Sequence, residues 1–200
     1  MSPAARAVRS DVLRNRAALL DAAAAAFAQD GPNVSLDEIA RRAGLGAGTL
    51  HRHFPTKNAL IEAVLVHRLE ELGRRAQACC AADEPTAAFF DFLAVIAAEA
   101  GQNMTLASAL DDPAALSERV AEAGQALQAA FAELLRRAQD AGGVRSDVTA
   151  VELHALVTGV IATERALPEE SRGRGLAVVA DGLRAASGSP EGPARAPRRA

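Results

Sequence analysis

The sequence predicts an all-α fold of about nine helices. Apolar residues recur every three or four positions through most of the chain, which is the spacing of one helix face. Residues that cap helices, such as Ser and Thr, and residues that end them, such as Gly and Pro, stand between these periodic stretches. The chain shows neither the alternation of apolar and polar residues that marks a strand nor an internal repeat. We therefore expect two helical domains, at residues 11–80 and 81–186.

The first predicted helix covers residues 11–29. Its apolar residues fall at helical spacing in an Ala-rich background that favours helix formation. The sequence Asp30-Gly31-Pro32 ends this helix, because Gly can take the left-handed conformation of a C-cap and Pro cannot continue a helix. Residues 1–10 lack periodicity, so we expect them to form a flexible arm.

A capped helix is predicted to begin just after Ser35. The Ser35 hydroxyl can accept a hydrogen bond from the backbone N–H of Glu38, and the Glu38 carboxylate can reach back to the cap, which is a capping box. Val34 and Ile39 stand where a hydrophobic staple would fix the entry of the chain into the helix. The helix therefore starts at Leu36.

A Gly-marked turn leads from this helix into a second short one. Gly44 can take the left-handed conformation that closes a helix, and Leu45 can then fold back on the last turn. The second helix begins at about Ala47 and buries Leu50 and Phe54, which are four residues apart. Two short helices joined in this way form a helix-turn-helix.

The second short helix carries polar side chains suited to DNA, those of Thr49, His51, Arg52 and His53. Hydroxyl, imidazole and guanidinium groups bind phosphates and base edges. Residues 1–79 contain 11 Lys and Arg against 8 Asp and Glu, a net charge of +3, whereas residues 80–200 contain 11 against 17, a net charge of −6. The sign of this asymmetry agrees with a DNA-facing first domain. The arm over residues 1–10 either follows the DNA backbone or is disordered.

A longer amphipathic helix is predicted over residues 57–80, where it joins the two domains. Thr56 can cap it. Lys57, the only lysine of the chain, stands in its first turn. Backbone N–H groups and the positive end of the helix dipole attract anions there, so Lys57 is either a phosphate contact or a solvated lysine.

The second domain is predicted to be helical throughout. An apolar helix covers residues 86–100, a short helix follows at 104–110, another begins at 111–113, and a long helix ends at Gly142 and Gly143. The last two helices, over residues 149–165 and 172–186, are apolar on more than one face. Because one small core cannot cover such faces, we expect these helices to pack against their copies in a homodimer. Residues 187–200, rich in Pro, Gly, Ala and Arg, are expected to be disordered.

Four of the six phenylalanines lie between residues 89 and 131. They either fill the core or line an apolar pocket. Because the chain has no Trp or Tyr, a ligand would be held mostly by apolar contact. The residues expected to line such a pocket are Phe89, Phe92, Leu93, Met104, Phe131 and His154.

Other classes of protein are disfavoured. Charges interrupt the apolar runs before the roughly 18 residues of a membrane span, and no signal-peptide core is present, so we expect a cytoplasmic protein without membrane contact. Cys79 and Cys80 are adjacent, which suits neither a disulfide nor a zinc site, and we expect inert thiols. His51 and His53 point to different faces of a helix, so we do not expect them to bind one metal ion together. No catalytic Ser–His, Cys–His or paired-carboxylate arrangement stands out, so we expect that the protein is not an enzyme and binds no cofactor.

Residues 14–65 resemble the DNA-binding domain of the TetR (tetracycline repressor-like) transcriptional regulators. The most specific part of the resemblance is the capped helix followed by A-G-x-G-x-G-T-L, an aromatic-type position, x-H-F and then P-T-K. By this resemblance the second short helix is the recognition helix that enters the major groove. The DNA contacts that the resemblance implies are made by Ser35, Arg41, Thr49, His51, Arg52, His53 and Lys57.

His51 departs from the family pattern, in which tyrosine is usual. An imidazole then replaces a phenol that bonds phosphate, and DNA binding becomes sensitive to pH. Ala47 and Gly48 have almost no side chain, so sequence readout falls mainly to Arg52 and its neighbours.

The resemblance also implies a function for the second domain. It implies a homodimeric repressor, paired through the last two helices, that a small effector releases from a palindromic operator in double-stranded DNA. The effector itself is unidentified. The alternative is an architectural DNA-binding protein that takes no ligand.

Overall fold

The computed structural model describes residues 3–31, 34–102, 117–165, 167–168, 170 and 173–185. Within these ranges the chain forms eight α-helices and no strand, with one isolated antiparallel bridge between Val144 and Arg184. The helices are α1 (Pro3–Asp30), α2 (Leu36–Arg42), α3 (Ala47–His53), α4 (Lys57–Cys79), α5 (Pro85–Gln102), α6 (Glu118–Asp140), α7 (Ala150–Arg165) and α8 (Arg174–Leu183). The predicted all-α fold is confirmed. The short helix predicted at 104–110, the helix start predicted at 111–113 and the tail at 187–200 lie outside the described residues.

Helix α1 begins earlier than predicted. It starts at Pro3, so the described backbone is helical where the sequence predicts a flexible arm over residues 1–10. Proline is well tolerated in the first turn of a helix, where its missing N–H leaves no hydrogen bond unmade, and the neighbouring Ala and Arg residues favour helix. The helix ends at Asp30, before Gly31 with φ of 73°, as the sequence predicts.

The predicted signals at the ends of α2 and α4 are present as hydrogen bonds. Ser35 Oγ accepts from the N–H of Glu38 at 3.2 Å, and Thr56 Oγ1 accepts from the N–H of Ala59 at 3.1 Å. Gly44 has φ of 68°, and the N–H of Leu45 donates to the carbonyl oxygen five residues back at 2.9 Å. These local bonds fix where α2 and α4 begin and where α2 ends.

Two apolar cores are joined by two long helices. The first core takes residues from α1 to α4 together with Val120 and Ala123 of α6. The second core takes Ala76 of α4 together with residues of α5 to α8. Leu127 of α6 packs against both. Helices α4 and α6 therefore run from one core to the other, so the two predicted domains share packing along them.

Helices α7 and α8 are tied together by a side-chain cap. Glu164 of α7 accepts hydrogen bonds from the N–H of Gly173 at 2.8 Å and from the N–H of Leu176 at 3.1 Å. These N–H groups lie at the start of α8, where backbone N–H groups have no carbonyl partner within the helix. The cap therefore sets where α8 begins.

Large apolar side chains are exposed on the last two helices. Val151 is 80% exposed, Leu156 45% and Val178 72%. The opposite sides of these helices bury Leu153 and Leu176 in the second core. Among the described residues, none of the helices combines the length and the apolar character that a bilayer crossing demands.

The two cysteines are free thiols of intermediate exposure. Burial, followed by the neighbouring Glu133 carboxylate, raises the pKa of the Cys80 thiol above its ordinary value. A raised pKa lowers the fraction of reactive thiolate near neutral pH.

Candidate nucleic-acid interface

Helix α3 is mounted on the first core by two apolar residues. Leu50 is fully buried, and Phe54, at the end of the helix, is 5% exposed. With this side anchored, His51, Arg52 and His53 are exposed and Thr49 is half-buried. The second short helix predicted from the sequence is therefore present, with its polar side chains accessible to a partner.

Arg52 is oriented by its own helix. Its Nη2 donates to Thr49 Oγ1 at 3.2 Å. Because threonine is a neutral partner, the positive charge of the guanidinium is retained for phosphates or for a guanine edge. Thr49 and Arg52 are thus the one predicted pair of DNA-contacting residues that the described hydrogen bonds bring together.

His51 is held by a residue that the sequence analysis did not single out. Its Nε2 lies 3.2 Å from Oδ1 of Asp37, in the first turn of α2. The two residues are 14 positions apart and sit on opposite sides of the turn. No local spacing rule links such residues, so only the packing of α2 against α3 reveals the contact.

Arg41 is engaged by a carboxylate on α2. Glu38 accepts hydrogen bonds from Arg41 at 2.7 and 2.8 Å and from Arg42 at 2.7 Å. These hydrogen bonds lower the pKa of Glu38 from its ordinary value to about 2 and raise the pKa of Arg41. The Glu38 carboxylate is thus turned toward the arginines, and only the Ser35 half of the predicted capping box is seen among the hydrogen bonds of the described residues.

Arg42 fastens α2 to the end of α1. Its Nη2 lies 2.5 Å from Oδ2 of Asp30, and its Nη1 donates to Gln29 Oε1 at 3.3 Å. This arginine is therefore a tie between helices, whereas its neighbour Arg41 has a side chain that is 72% exposed.

The seven residues predicted to contact DNA all lie between the start of α2 and the start of α4. Ser35 is the exposed cap of α2, and Lys57 is the half-exposed first residue of α4. None of the seven is buried. The structure leaves each of them within reach of a partner, with Arg41 and His51 already paired to carboxylates of α2.

The aromatic residues predicted to line a ligand pocket pack against each other in the second core. The Phe89 and Phe131 rings stack with centroids 5.9 Å apart, and Phe92 meets Phe131 edge-on at 5.6 Å. Leu93 is 1% exposed in the same core. Met104 lies outside the described residues.

His154 is on the surface and is not the pocket-lining residue that the sequence analysis expects. Helix α7 buries Leu153 and Val157, and a residue next to Leu153 is rotated by about 100° around a helix. His154 is therefore exposed, with Nε2 3.4 Å from Nε2 of Gln128 on α6.

A surface hollow of about 460 Å³ lies between the end of α6 and the segment after α8. Arg145, paired with Asp147 at 2.6 Å, and Arg184, over the Phe90 ring at 4.3 Å, are among its lining residues. The predicted ligand residues do not line this hollow.

Two family models match the chain. Residues 19–64 match the model described as bacterial regulatory proteins of the tetR family. Residues 84–185 match the model described as the C-terminal domain of SbtR-like transcriptional regulators, and this match alone spans half of the chain.

Solved structures of regulators resemble most of the chain. A TetR transcription regulatory protein from Mycobacterium vanbaalenii is 39% identical, with a TM-score of 0.70, and the match covers 88% of this chain and 99% of that one. A TetR transcriptional regulator from Streptomyces coelicolor is 31% identical, with a TM-score of 0.72, and the match covers 86% and 99%.

Curated relatives match over a shorter stretch. The HTH-type transcriptional repressor LfrR from Mycolicibacterium smegmatis is 43% identical over 54 residues, which are 27% of this chain and 28% of that protein. The chain spans about half, or less, of the length of the curated relatives it matches.

Proposed function

The chain belongs to the TetR family of DNA-binding transcriptional regulators, and from this premise we propose that it is a homodimeric repressor released from its operator by a small apolar ligand. The operator would be a palindrome in double-stranded DNA. A regulator that acts on bacterial DNA works in the cytoplasm, and we assign the protein to that compartment. No catalytic role is proposed.

The observation that carries this proposal is the mounting of α3. Its apolar side is fixed by Leu50 and Phe54, and its exposed side presents Arg52 with a neutral partner, Thr49. Arginine can bond a guanine edge at two points, which is the commonest specific contact in the major groove. Lys57, in the first turn of α4, supplies a positive charge for the DNA backbone.

The exposed apolar side chains of α7 and α8 support dimerisation. TetR-family regulators act as dimers, and a dimer places two recognition helices on successive half-sites of a palindrome. The side chains of Val151, Leu156 and Val178 are exposed in the single chain, and contact with a partner subunit would bury them. We propose that these residues lie in the dimer interface.

We propose that the ligand enters among the four core residues Phe89, Phe92, Leu93 and Phe131. Their side chains offer apolar contact and no hydrogen-bonding group, so the ligand would be largely apolar. Helices α4 and α6 pack in both cores. A change in the packing of the second core would therefore be transmitted along these helices to the first core, which holds α2 and α3. Such a ligand releases DNA only if it binds the DNA-free arrangement more tightly.

Repression is proposed from the likeness over 54 residues to LfrR, whose name calls it a repressor. The experiment is a titration of the DNA that flanks the gene of this protein, in low salt, against random DNA of equal length. We expect a palindromic segment to bind at least about tenfold more tightly than random DNA, because specific sites gain base contacts that random sites lack. Equal affinity for both DNAs would overturn the proposal of a sequence-specific repressor and favour an architectural DNA-binding protein.

A further inference from the structure

We propose that Asp37 is a positioning residue that decides which ring nitrogen of His51 faces DNA, and that it thereby contributes to the discrimination between operator and random DNA. This inference rests on the proposed DNA-binding function of α3. Asp37 itself would not need to touch DNA, because it acts through the imidazole that it holds.

The pair has a defined geometry although both side chains are exposed. The distance from His51 Nε2 to Asp37 Oδ1 is 3.2 Å, and the side chains are 49% and 72% exposed. The backbone on both sides of the contact is fixed by burial: Ile39 of α2 and Leu50 of α3 are both fully buried in the first core. The contact therefore does not depend on a mobile segment, and both partners remain accessible from solvent.

The chemistry of the pair leaves His51 one free nitrogen. An ionised carboxylate can only accept a hydrogen bond, so Nε2 must carry the hydrogen in this contact. In the neutral ring Nδ1 is then an acceptor. An acceptor can bond the amino group of cytosine or adenine in the major groove, but it cannot bond a phosphate oxygen, which also only accepts.

Removal of the carboxylate changes both properties of the imidazole. Without Asp37, either nitrogen can carry the hydrogen, and the ring is free to turn its donor toward any phosphate. Phosphates are the same in every sequence, so such a contact adds affinity without discrimination. The lost negative charge also strengthens attraction to any DNA. Asp37 thus favours readout of bases over general binding to the backbone.

The test is a double-mutant cycle on the full chain, with affinity measured for the operator and for random DNA at one salt concentration. We expect Asp37→Ala to lower the ratio of the two affinities about 3- to 10-fold, as for a lost hydrogen bond. Asp37→Asn offers both an acceptor oxygen and a donor N–H to the imidazole, so it should restore only part of that loss. In a His51→Phe background, Asp37→Ala should change the ratio less than about twofold. The matched control is Asp83→Ala, an exposed aspartate between α4 and α5, which should leave the ratio unchanged.

Nitrogen NMR of His51 in the DNA-free protein gives a readout that a general loss of stability would not produce. Wild type should show hydrogen on Nε2, and Asp37→Ala should show a mixture of tautomers. An unchanged affinity ratio in Asp37→Ala, or an equal loss in the His51→Phe background, would overturn the inference while DNA recognition by the wild type stands. A wild type that fails to discriminate operator from random DNA would instead overturn the proposed function, and the inference with it.

Discussion

Arg41 and Glu38 form a two-point ion pair on the surface of α2, with Nε 2.8 Å from Oε2 and Nη2 2.7 Å from Oε1. Arg41 is one of the residues predicted to contact DNA, and it is already paired before DNA arrives. A phosphate must share this guanidinium with the carboxylate or displace it. The pair therefore holds the side chain in one orientation at the expense of some of its attraction for phosphate.

Glu38→Gln is expected to lower the unfolding temperature at pH 7 and to do so less as the pH falls. The pKa of Glu38 is about 2 in the folded chain, against an ordinary value of 4.5, because Arg41 and Arg42 bond its ionised form. A lowered pKa stabilises the fold above pH 4.5, and this contribution is lost as the pH falls from about 4.5 toward about 2. The measurement is thermal unfolding at several values between pH 7 and pH 3.

The matched control for this prediction is Glu70→Gln, which replaces an exposed carboxylate of α4 by a carboxamide. Added salt should reduce the effect of Glu38→Gln, because exposed ion pairs are screened. A difference between wild type and Glu38→Gln that stays constant from pH 7 to pH 3 would contradict the assignment of the low pKa.

Arg52→Ala is expected to weaken operator binding more than random DNA binding. A bidentate contact between arginine and guanine contributes about 1–3 kcal/mol of discrimination, and alanine removes it. Fluorescence anisotropy with labelled operator and random DNA measures both affinities. Arg136→Ala, an exposed arginine of α6 paired with Glu133 and Asp140, is the control and should bind like wild type. Equal weakening on both DNAs would assign Arg52 to the backbone.

Val151→Glu combined with Val178→Glu is expected to separate the subunits. These side chains are 80% and 72% exposed, so a carboxylate there is harmless in the single chain but costly in an apolar interface. Because a dimer holds two half-sites at once, operator affinity should fall about 100-fold or more. Light scattering after gel filtration reports the mass, with Ala126→Glu on exposed α6 surface as the control. A double variant that remains dimeric would place the interface elsewhere.

Glu164→Ala is expected to destabilise the protein by about 1 kcal/mol, the usual effect of losing a helix cap. The carboxylate accepts from the N–H of Gly173 and of Leu176, and alanine leaves both groups without that partner. Urea unfolding measures the change in the free energy of unfolding. Glu164→Gln keeps an acceptor oxygen and should lose less. If both variants unfold like wild type, the cap contributes nothing to stability.

Most of the fold follows from hydrogen-bonding rules that act over three to five residues. The cap at Ser35, the cap at Thr56 and the left-handed Gly44 were each predictable, because the atoms involved are neighbours in the chain. Helix α1 is the exception at this local level. Apolar periodicity did not predict its start at Pro3, because a helical segment rich in Ala and Arg needs no apolar repeat.

The sequence by itself determined most of the helices, the helix-turn-helix and the polar residues that α3 exposes, because each depends on residues that are close in the chain. Tertiary structure alone decided the partners of these residues. The contact of His51 with Asp37 spans 14 positions, the tie from Arg42 to Asp30 spans 12, and His154 lies on the surface because Leu153 took the buried side of α7. Such contacts depend on how helices rotate when their apolar faces pack, and this rotation is set by the whole core at once.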